Sequence, residues 1–333
     1  MPVRVAINGF GRIGRCVFRA AWNDPDIEVV HINDLTNDDM LAHLLKYDSV
    51  HGVFPSEVAA VDGGISVDGT LVPTSAERDP SRLPWSDRQV DVVLECTGVF
   101  RKRAQAAQHL DAGAQRVVIS APATDPDYTV VLGVNDAGLA PEHRIISNAS
   151  CTTNCIAPVV KVLHETFGIT GGLMTTVHSY TMDQRLLDAP HKDFRRARAA
   201  AANIVPTTTG AAAAVGKVYP ALAGRLGGMA IRVPTPNVSL VDLVFTTENP
   251  VTIDSINAAI EAAAAGPMRG ILRASSAPIV SSDLMGDSHS SIFDLPLTAV
   301  MGAHQAKILT WYDNEAGFSA RMVDLAKRVG GLA

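Results

Sequence analysis

The chain's best candidate for covalent chemistry is a thiol near its middle. Cys151 stands in Ser147-Asn148-Ala149-Ser150-Cys151-Thr152-Thr153-Asn154-Cys155. The lead-in Arg144-Ile145-Ile146 and the apolar positions Ile156, Val159, Val160 and Leu163 beyond it predict a strand, a short turn and a helix start. Ser147, Asn148 and Ser150 are good N-cap types. Cys151 then falls in the first turn, where unpaired N–H groups and the positive end of the dipole favour an anion. A thiol there is expected to ionise below the free value of about 8.5, and a thiolate is a nucleophile. A lone Cys is, however, more often inert packing.

Other residues suit anions and proton transfer. His178 sits in the strand-like run Thr175 to Tyr180, followed at once by Thr181 and Asp183. A lone strand His is more often a satisfied core residue. Thr207-Thr208-Thr209-Gly210-Ala211 opens an Ala-rich helical run, and hydroxyls with free N–H groups at a helix start make an anion site. Arg232, before Val233-Pro234-Thr235-Pro236, adds a charge able to grip phosphate in a bidentate way. Arg195, Arg196 and Arg198 lie close together, and the usual fate of such a run is a solvated basic face.

The elements that would carry these groups begin at the N-terminus. Val3 to Ile7 reads as a buried strand, and Gly9, Gly11 and Gly14 form a GxGxxG before a helix with apolar Val17, Phe18 and Ala21. The glycines permit a tight turn, close approach of a pyrophosphate, and helix–strand packing. The second strand, Ile27 to Ile32, ends in Asn33-Asp34, and Asp34 lies where a ribose-binding acid belongs. Strands at Val90 to Glu95 and Val117 to Ser120, with a helix near Ala104 to Ala112, continue a doubly wound α/β pattern. Thr97 and Ser120 fall at strand ends, where capping is the plain alternative. Val53 to Val72 reads as a small hairpin insertion. In the second half, Val241 to Thr246 and Ala306 to Trp311 read as antiparallel strands, and Ala320 to Val329 as a final helix.

Composition narrows the class. The chain has 333 residues, 47% of them hydrophobic, and a formal net charge of −6, which suits two soluble domains and argues against nucleic acid as a main partner. The four Cys show no zinc spacing and no disulfide density, so reduced thiols and no metal are expected. No signal peptide and no apolar run of roughly 18 residues is seen, so no membrane is expected, and a reducing cytoplasm fits.

The block Ser147 to Cys155 resembles the active-site signature of phosphorylating glyceraldehyde-3-phosphate dehydrogenases. Thr175 to Asp188, Pro206 to Ala213 with Arg232 to Asn237, and Trp311 to Gly317 resemble the same family. The resemblance implies a Rossmann NAD-binding domain over 1–150, joined by a C-terminal helix over 315–333. It implies an α+β catalytic domain with a mainly antiparallel sheet over 151–314, including an S-shaped loop at about 180–203. Cys151 would be the nucleophile and His178 the base, and as a cation His178 would also stabilise the thiolate. Gly9, Gly11, Arg12, Ile13, Gly14, Asp34, Arg78, Thr97, Ser120 and Asn314 would hold NAD, with Asn314 on the nicotinamide carboxamide. Thr181, Asp183 and Arg232 would hold the C3 phosphate of D-glyceraldehyde 3-phosphate. Ser150, Thr152, Thr209, Gly210 and an S-loop Arg, Arg196 with Arg195 left open, would hold inorganic phosphate. Asp183 would orient Arg232 or the Thr181 hydroxyl. A homotetramer is implied as well.

Asp34, with no adjacent Arg or Lys, favours NAD over NADP. The resemblance implies the same from Ala189-Pro190, where NADP-using members of the family tend to carry Ala-Ser. Ala316, Met182 and the long turn Gly302 to Gln305 depart from the family pattern. Two alternatives stay open: an erythrose-4-phosphate dehydrogenase, and a thiol redox-sensing or regulatory protein using Cys151 and Cys155.

Overall fold

A computed structural model describes residues 1–332. The chain forms two compact units. The first holds Met1–Val130, Ala137–Ala149 and the chain from Ser319 on, and the second holds Val131–Asp136 and Ser150–Phe318.

The sheet of the first unit runs in the order Tyr128–Thr129, Ile145–Ser147, Arg116–Ile119, Val92–Glu95, Val3–Asn8, Ile27–Asn33, Thr70–Ser75, Gly64–Val67, Val58–Val61. Pairing is parallel as far as Thr70–Ser75 and antiparallel beyond it. The short runs Val92–Glu95 and Arg116–Ile119 are buried at every residue, as strands covered on both faces must be. The direction of winding reverses between Val3–Asn8 and Val92–Glu95, the switch point beyond which doubly wound sheets bind ligands. Ala6, Val93, Val117, Ile119 and Ile145 pack there with Trp85 in one core.

Two expectations change here. The hairpin read at Val53 to Val72 is no separate insertion. Its last strand pairs Ile32 with Thr74 and Asn33 with Ser75, so the hairpin extends the sheet. The helix expected at Ala104 to Ala112 is two short helices, Arg103–Ala106 and Gln108–Asp111, that meet at Ala107.

In the second unit, Ile169–Ser179 is the longest strand. It runs parallel to Leu226–Val233 and antiparallel to Ser239–Thr247, which pairs in turn with Gln305–Tyr312. Most strand pairings are antiparallel, with parallel strands at Leu226–Val233 and between Leu272–Ser275 and Ser291–Asp294. The helix Cys151–Phe167 packs on this sheet and against the helices Ala211–Val218 and Ile253–Ala265. Ile156, Val159, Val160 and Leu163 are fully buried. The helix stops at Gly168, which takes the left-handed conformation (φ 70°) a β-carbon would disfavour. Val131–Asp136 joins this unit because Lys161 Nζ donates to the carbonyls of Gly133 and Val134 at 3.1 Å each. The last helix starts earlier than its apolar pattern suggests, spanning Ala316–Gly330. Asp313 Oδ1 accepts from the Glu315 and Ala316 amides at 2.8 Å, which starts it there.

Candidate active site

Ser150 caps the helix that carries Cys151. Its Oγ accepts from the Thr153 amide at 3.1 Å and lies 2.7 Å from the Thr153 hydroxyl. Cys151 is therefore the first helical residue, its own N–H unpaired within the helix. The strand Ile169–Ser179 presents His178 with Nε2 3.6 Å from Cys151 Sγ. Tyr312 lies edge-on to the imidazole, ring centroids 5.8 Å apart. Its hydroxyl bonds Thr152 at 2.8 Å and Thr176 at 2.9 Å, so both hydroxyls point into the core. In the sequence Tyr312 is marked only by its place in the block Trp311 to Gly317 that resembles the family.

Arg232, aligned with His178 in the neighbouring strand, completes the group. One of its nitrogens, Nη1, lies 2.6 Å from His178 Nδ1 and donates to the Ser179 carbonyl at 2.8 Å. Since a guanidinium only donates, this contact is a hydrogen bond only in the tautomer with Nδ1 bare and the proton on Nε2. Nδ1 also lies 2.7 Å from the Ser179 oxygen, a contact that becomes a hydrogen bond only in the other tautomer.

These surroundings work against the expected ionisation. Burial, then the charge of Arg232, pushes His178 down to about 3, which favours the neutral imidazole in the free protein. Burial likewise raises the Cys151 thiol, opposed first by Arg232 and then by hydrogen bonds at the helix start. The helix terminus alone does not outweigh desolvation, and Arg232 is the cation acting on the sulfur. Cys155, four residues on, is pushed up to about 12 by burial and faces Ser291 and Thr310.

The anion-binding candidates gather around Arg196. Its Nε donates to Thr207 Oγ1 at 2.9 Å, its Nη2 to the Thr208 carbonyl at 3.2 Å, and its Nη1 to Asp183. Arg195 is exposed and offers its amide to Asp193. Asp183 thus orients Arg196, with His191 on its other oxygen, and not Arg232 or Thr181 as the sequence suggested. Thr181 is half-buried. Thr209 Oγ1 accepts from the Ala211 amide at 3.2 Å, and Gly210 caps the helix Ala211–Val218 without a side chain. Thr152 is buried with its hydroxyl on Tyr312, which leaves its backbone N–H, not its side chain, for an anion.

The glycine loop fits a bound pyrophosphate. A β-carbon on Gly9 (φ 92°) would come within 2.6 Å of the Thr97 amide nitrogen, and one on Gly14 within 2.2 Å of the Gly9 carbonyl oxygen. One on Gly11 would meet nothing within 4 Å, so the loop is open where a phosphate must approach. Gly11 caps the helix Arg12–Ala21 with no side-chain bond, leaving the N–H groups at Arg12 and Ile13 in its first turn. Asp34 Oδ2 accepts from the Phe10 amide at 2.7 Å and Oδ1 from the Thr36 amide at 3.0 Å, so it braces the loop at the end of the second strand. Arg12 pairs with Asp48 at 2.6 Å. Arg78 is exposed, and Ser120 is half-buried with its amide on the Glu95 carbonyl. Thr97 uses its amide and hydroxyl on the Glu95 carboxylate and accepts from Val99, the capping alternative raised by the sequence. Glu95 also takes Asn8 at 2.6 Å and His109 at 3.0 Å. An acid closing the apolar run Val92-Val93-Leu94 is the signal in the sequence that points to this buried network.

In the second unit, Asn314 Oδ1 accepts from Ser179 Oγ at 2.9 Å and from Ser239 Oγ at 3.1 Å. Ser179 lies in the block Thr175 to Asp188 that resembles the family, whereas nothing in the sequence marked Ser239.

The winding of the first sheet and its glycine loop define a dinucleotide-binding domain of the Rossmann class. Residues 3–103 match the family model described as glyceraldehyde 3-phosphate dehydrogenase, NAD binding domain, and residues 150–314 match its C-terminal domain. The chain is 59% identical over 327 residues to glyceraldehyde-3-phosphate dehydrogenase of Geobacillus stearothermophilus, covering 98% of each. It is 58% identical to glyceraldehyde-3-phosphate dehydrogenase 1 of Bacillus subtilis (strain 168), again over 98% of each. With glyceraldehyde-3-phosphate dehydrogenase of Cereibacter sphaeroides it shares 54% identity over 100% of both chains. The chain belongs to the glyceraldehyde-3-phosphate dehydrogenase family.

Proposed function

We propose that the chain oxidises D-glyceraldehyde 3-phosphate in the presence of inorganic phosphate to 1,3-bisphosphoglycerate, through a thioester on Cys151. The observation that carries this reading is the first-turn thiol 3.6 Å from His178 Nε2, with Arg232 on the far side of the imidazole.

Arg232 is the cation suited to the substrate's C3 phosphate, and Thr181 follows, three residues on, the His178 that Arg232 contacts. When it turns to that phosphate it releases His178 Nδ1. The proton can then sit on Nδ1 and be donated to the Ser179 carbonyl, leaving Nε2 as acceptor. Nε2 takes the thiol proton as sulfur adds to the aldehyde carbon, so the thiol's high pKa in the free protein is no obstacle. The unpaired Cys151 N–H stabilises the developing oxyanion. His178 returns the proton to that oxygen, giving a hemithioacetal, and removes it again as the carbon loses hydride. Bound NAD supplies the hydride acceptor. The carbon–oxygen double bond re-forms and the acyl group stays on sulfur. Inorganic phosphate, held by Ser150, the Thr152 N–H, Thr209, Gly210 and Arg196, attacks the thioester carbonyl. The carbon–sulfur bond breaks, acyl phosphate leaves, and sulfur recovers its proton from His178.

The loop at Gly9, Gly11, Arg12, Ile13 and Gly14 would hold the pyrophosphate of NAD and Asp34 its ribose. Arg78, Thr97 and Ser120 would line its course, and Asn314 would meet the carboxamide. Residues 1–150 with the final helix form the cofactor domain in this reading, and 151–314 the catalytic domain.

The protein assembles as a homotetramer. Met182, Leu186, Leu187, Phe194 and Ile204 are exposed along one polar, irregular segment, a concentration of bare apolar side chains that a subunit contact would cover. A cytoplasmic setting accords with four free cysteines, and no helix among the described residues is long and apolar enough to cross a membrane.

The deciding assay is formation of NADH from glyceraldehyde 3-phosphate, with and without phosphate. Multiple turnovers should require phosphate. Sustained turnover without it would mean thioester hydrolysis and refute the phosphorylating reading. Preference for erythrose 4-phosphate would refute the substrate.

A further inference from the structure

The buried serines beside Asn314 have a use that the reaction above does not assign. Ser179 is fully buried and Ser239 is 2% exposed, so each hydroxyl proton needs an acceptor inside the protein. Ser239 Oγ already accepts from the Ser179 amide at 3.1 Å. The acceptor that serves both protons is Asn314 Oδ1, at 2.9 Å and 3.1 Å. Turning the Asn314 amide over would put an NH2 group there and strand at least one buried proton. The amide is therefore held one way round. Asn314 Nδ2 has no hydrogen-bond partner among the described residues and is not a buried orphan.

The backbone around Ser239 is held under strain to the same end. Val238, β-branched and 3% exposed, takes a left-handed φ of 64°. Such a conformation persists only where its surroundings over-determine it. Asn237 Nδ2 donates to Asp313 Oδ2 at 2.8 Å, tying the residue before Val238 to the residue before Asn314. One carboxylate thus sets the spacing between the strained turn and the amide.

We propose that Ser179 and Ser239 are positioning residues that present Asn314 Nδ2 as a donor to the carboxamide oxygen of the nicotinamide, and so select the ring's orientation. The proposal rests on the reading of Asn314 as the carboxamide residue. It differs from that reading in assigning the direction of the hydrogen bond and the groups that enforce it.

The test compares binding of NAD with binding of ADP-ribose, which lacks the nicotinamide, by titration calorimetry. In Ser179→Ala/Ser239→Ala the NAD dissociation constant should rise about tenfold, as for one lost orienting hydrogen bond. ADP-ribose should bind within about twofold of wild type, which also reports that the fold is intact. Each single variant should show part of the effect. Equal losses for both ligands, or none for either, would overturn the proposal. Asn314→Ala serves as the reference. If it leaves the NAD to ADP-ribose ratio unchanged, the assignment of Asn314 falls and the proposal with it.

Discussion

At the scale of single residues, the thiol and the imidazole depend on what Arg232 is doing. Cys151→Ser should lower dehydrogenase turnover below about 1% of wild type while NAD binding persists, because an alkoxide is far harder to form than a thiolate. Turnover well above that level would remove Cys151 from the nucleophile's role. The tautomer argument gives a separate expectation. In 15N-histidine NMR of the free protein, His178 should show a protonated Nε2 and a bare Nδ1, as the 2.6 Å Arg232 contact requires. Glycerol 3-phosphate, which has the phosphate but no aldehyde, should reverse the two assignments. Unaltered resonances at saturating ligand would mean that Arg232 does not couple the phosphate to the base.

At the scale of elements, the glycine loop and the end of the second strand work as one piece. Asp34 holds the Phe10 amide at 2.7 Å, so its carboxylate braces the loop that must receive the pyrophosphate. A 2′-phosphate beside it would cost on the order of 4 kcal/mol before screening, at about 4 Å and an effective dielectric near 20. Asp34→Ala should therefore do two things to the steady-state constants. The kcat/KM ratio for NAD over NADP should fall several-fold, and the KM for NAD should rise because the loop loses its brace. An unchanged ratio would show that Asp34 does not discriminate between the cofactors. An unchanged KM for NAD would show that the brace is immaterial.

At the scale of the whole molecule, acid should destabilise the protein earlier than its carboxylates alone would dictate. Burial holds His31 near 4 and His178 near 3 in the folded chain, against about 6.5 when unfolded. Between those values the unfolded chain binds the extra protons, so stability is complete above about pH 6.5 and is lost as pH falls towards 4. Each histidine contributes a slope of about 1.4 kcal/mol per pH unit in that window. Urea unfolding at pH 7, 6 and 5 would measure the combined slope, and His31→Gln should reduce it by one proton's worth. A flat profile from pH 7 to 5 would contradict the burial of both rings. For assembly, light scattering at micromolar concentration should return a tetramer, and a monomer would leave the exposed Phe194 and Leu186 unexplained.

Local signals were enough for much of this. The GxGxxG between strand and helix, the acid at Asp34 and the N-cap before Cys151 are written in adjacent residues, because turns, caps and periodicity act over a few positions. The short runs that became two-sided strands were legible for the same reason. Tertiary structure decided what depends on groups far apart in the chain. Arg232 lies 54 residues from His178 and still sets its tautomer, and it does so because the two strands run parallel in register. Asp183 went to Arg196 and not to Arg232, a choice made by the loop that returns past Thr207. The thiol's pKa turned on desolvation, which depends on everything packed around Cys151 and on no neighbour in sequence. Tyr312 and Ser239 gave no sign of their roles because nothing in their types marks function, and only burial makes each of their polar groups demand a partner.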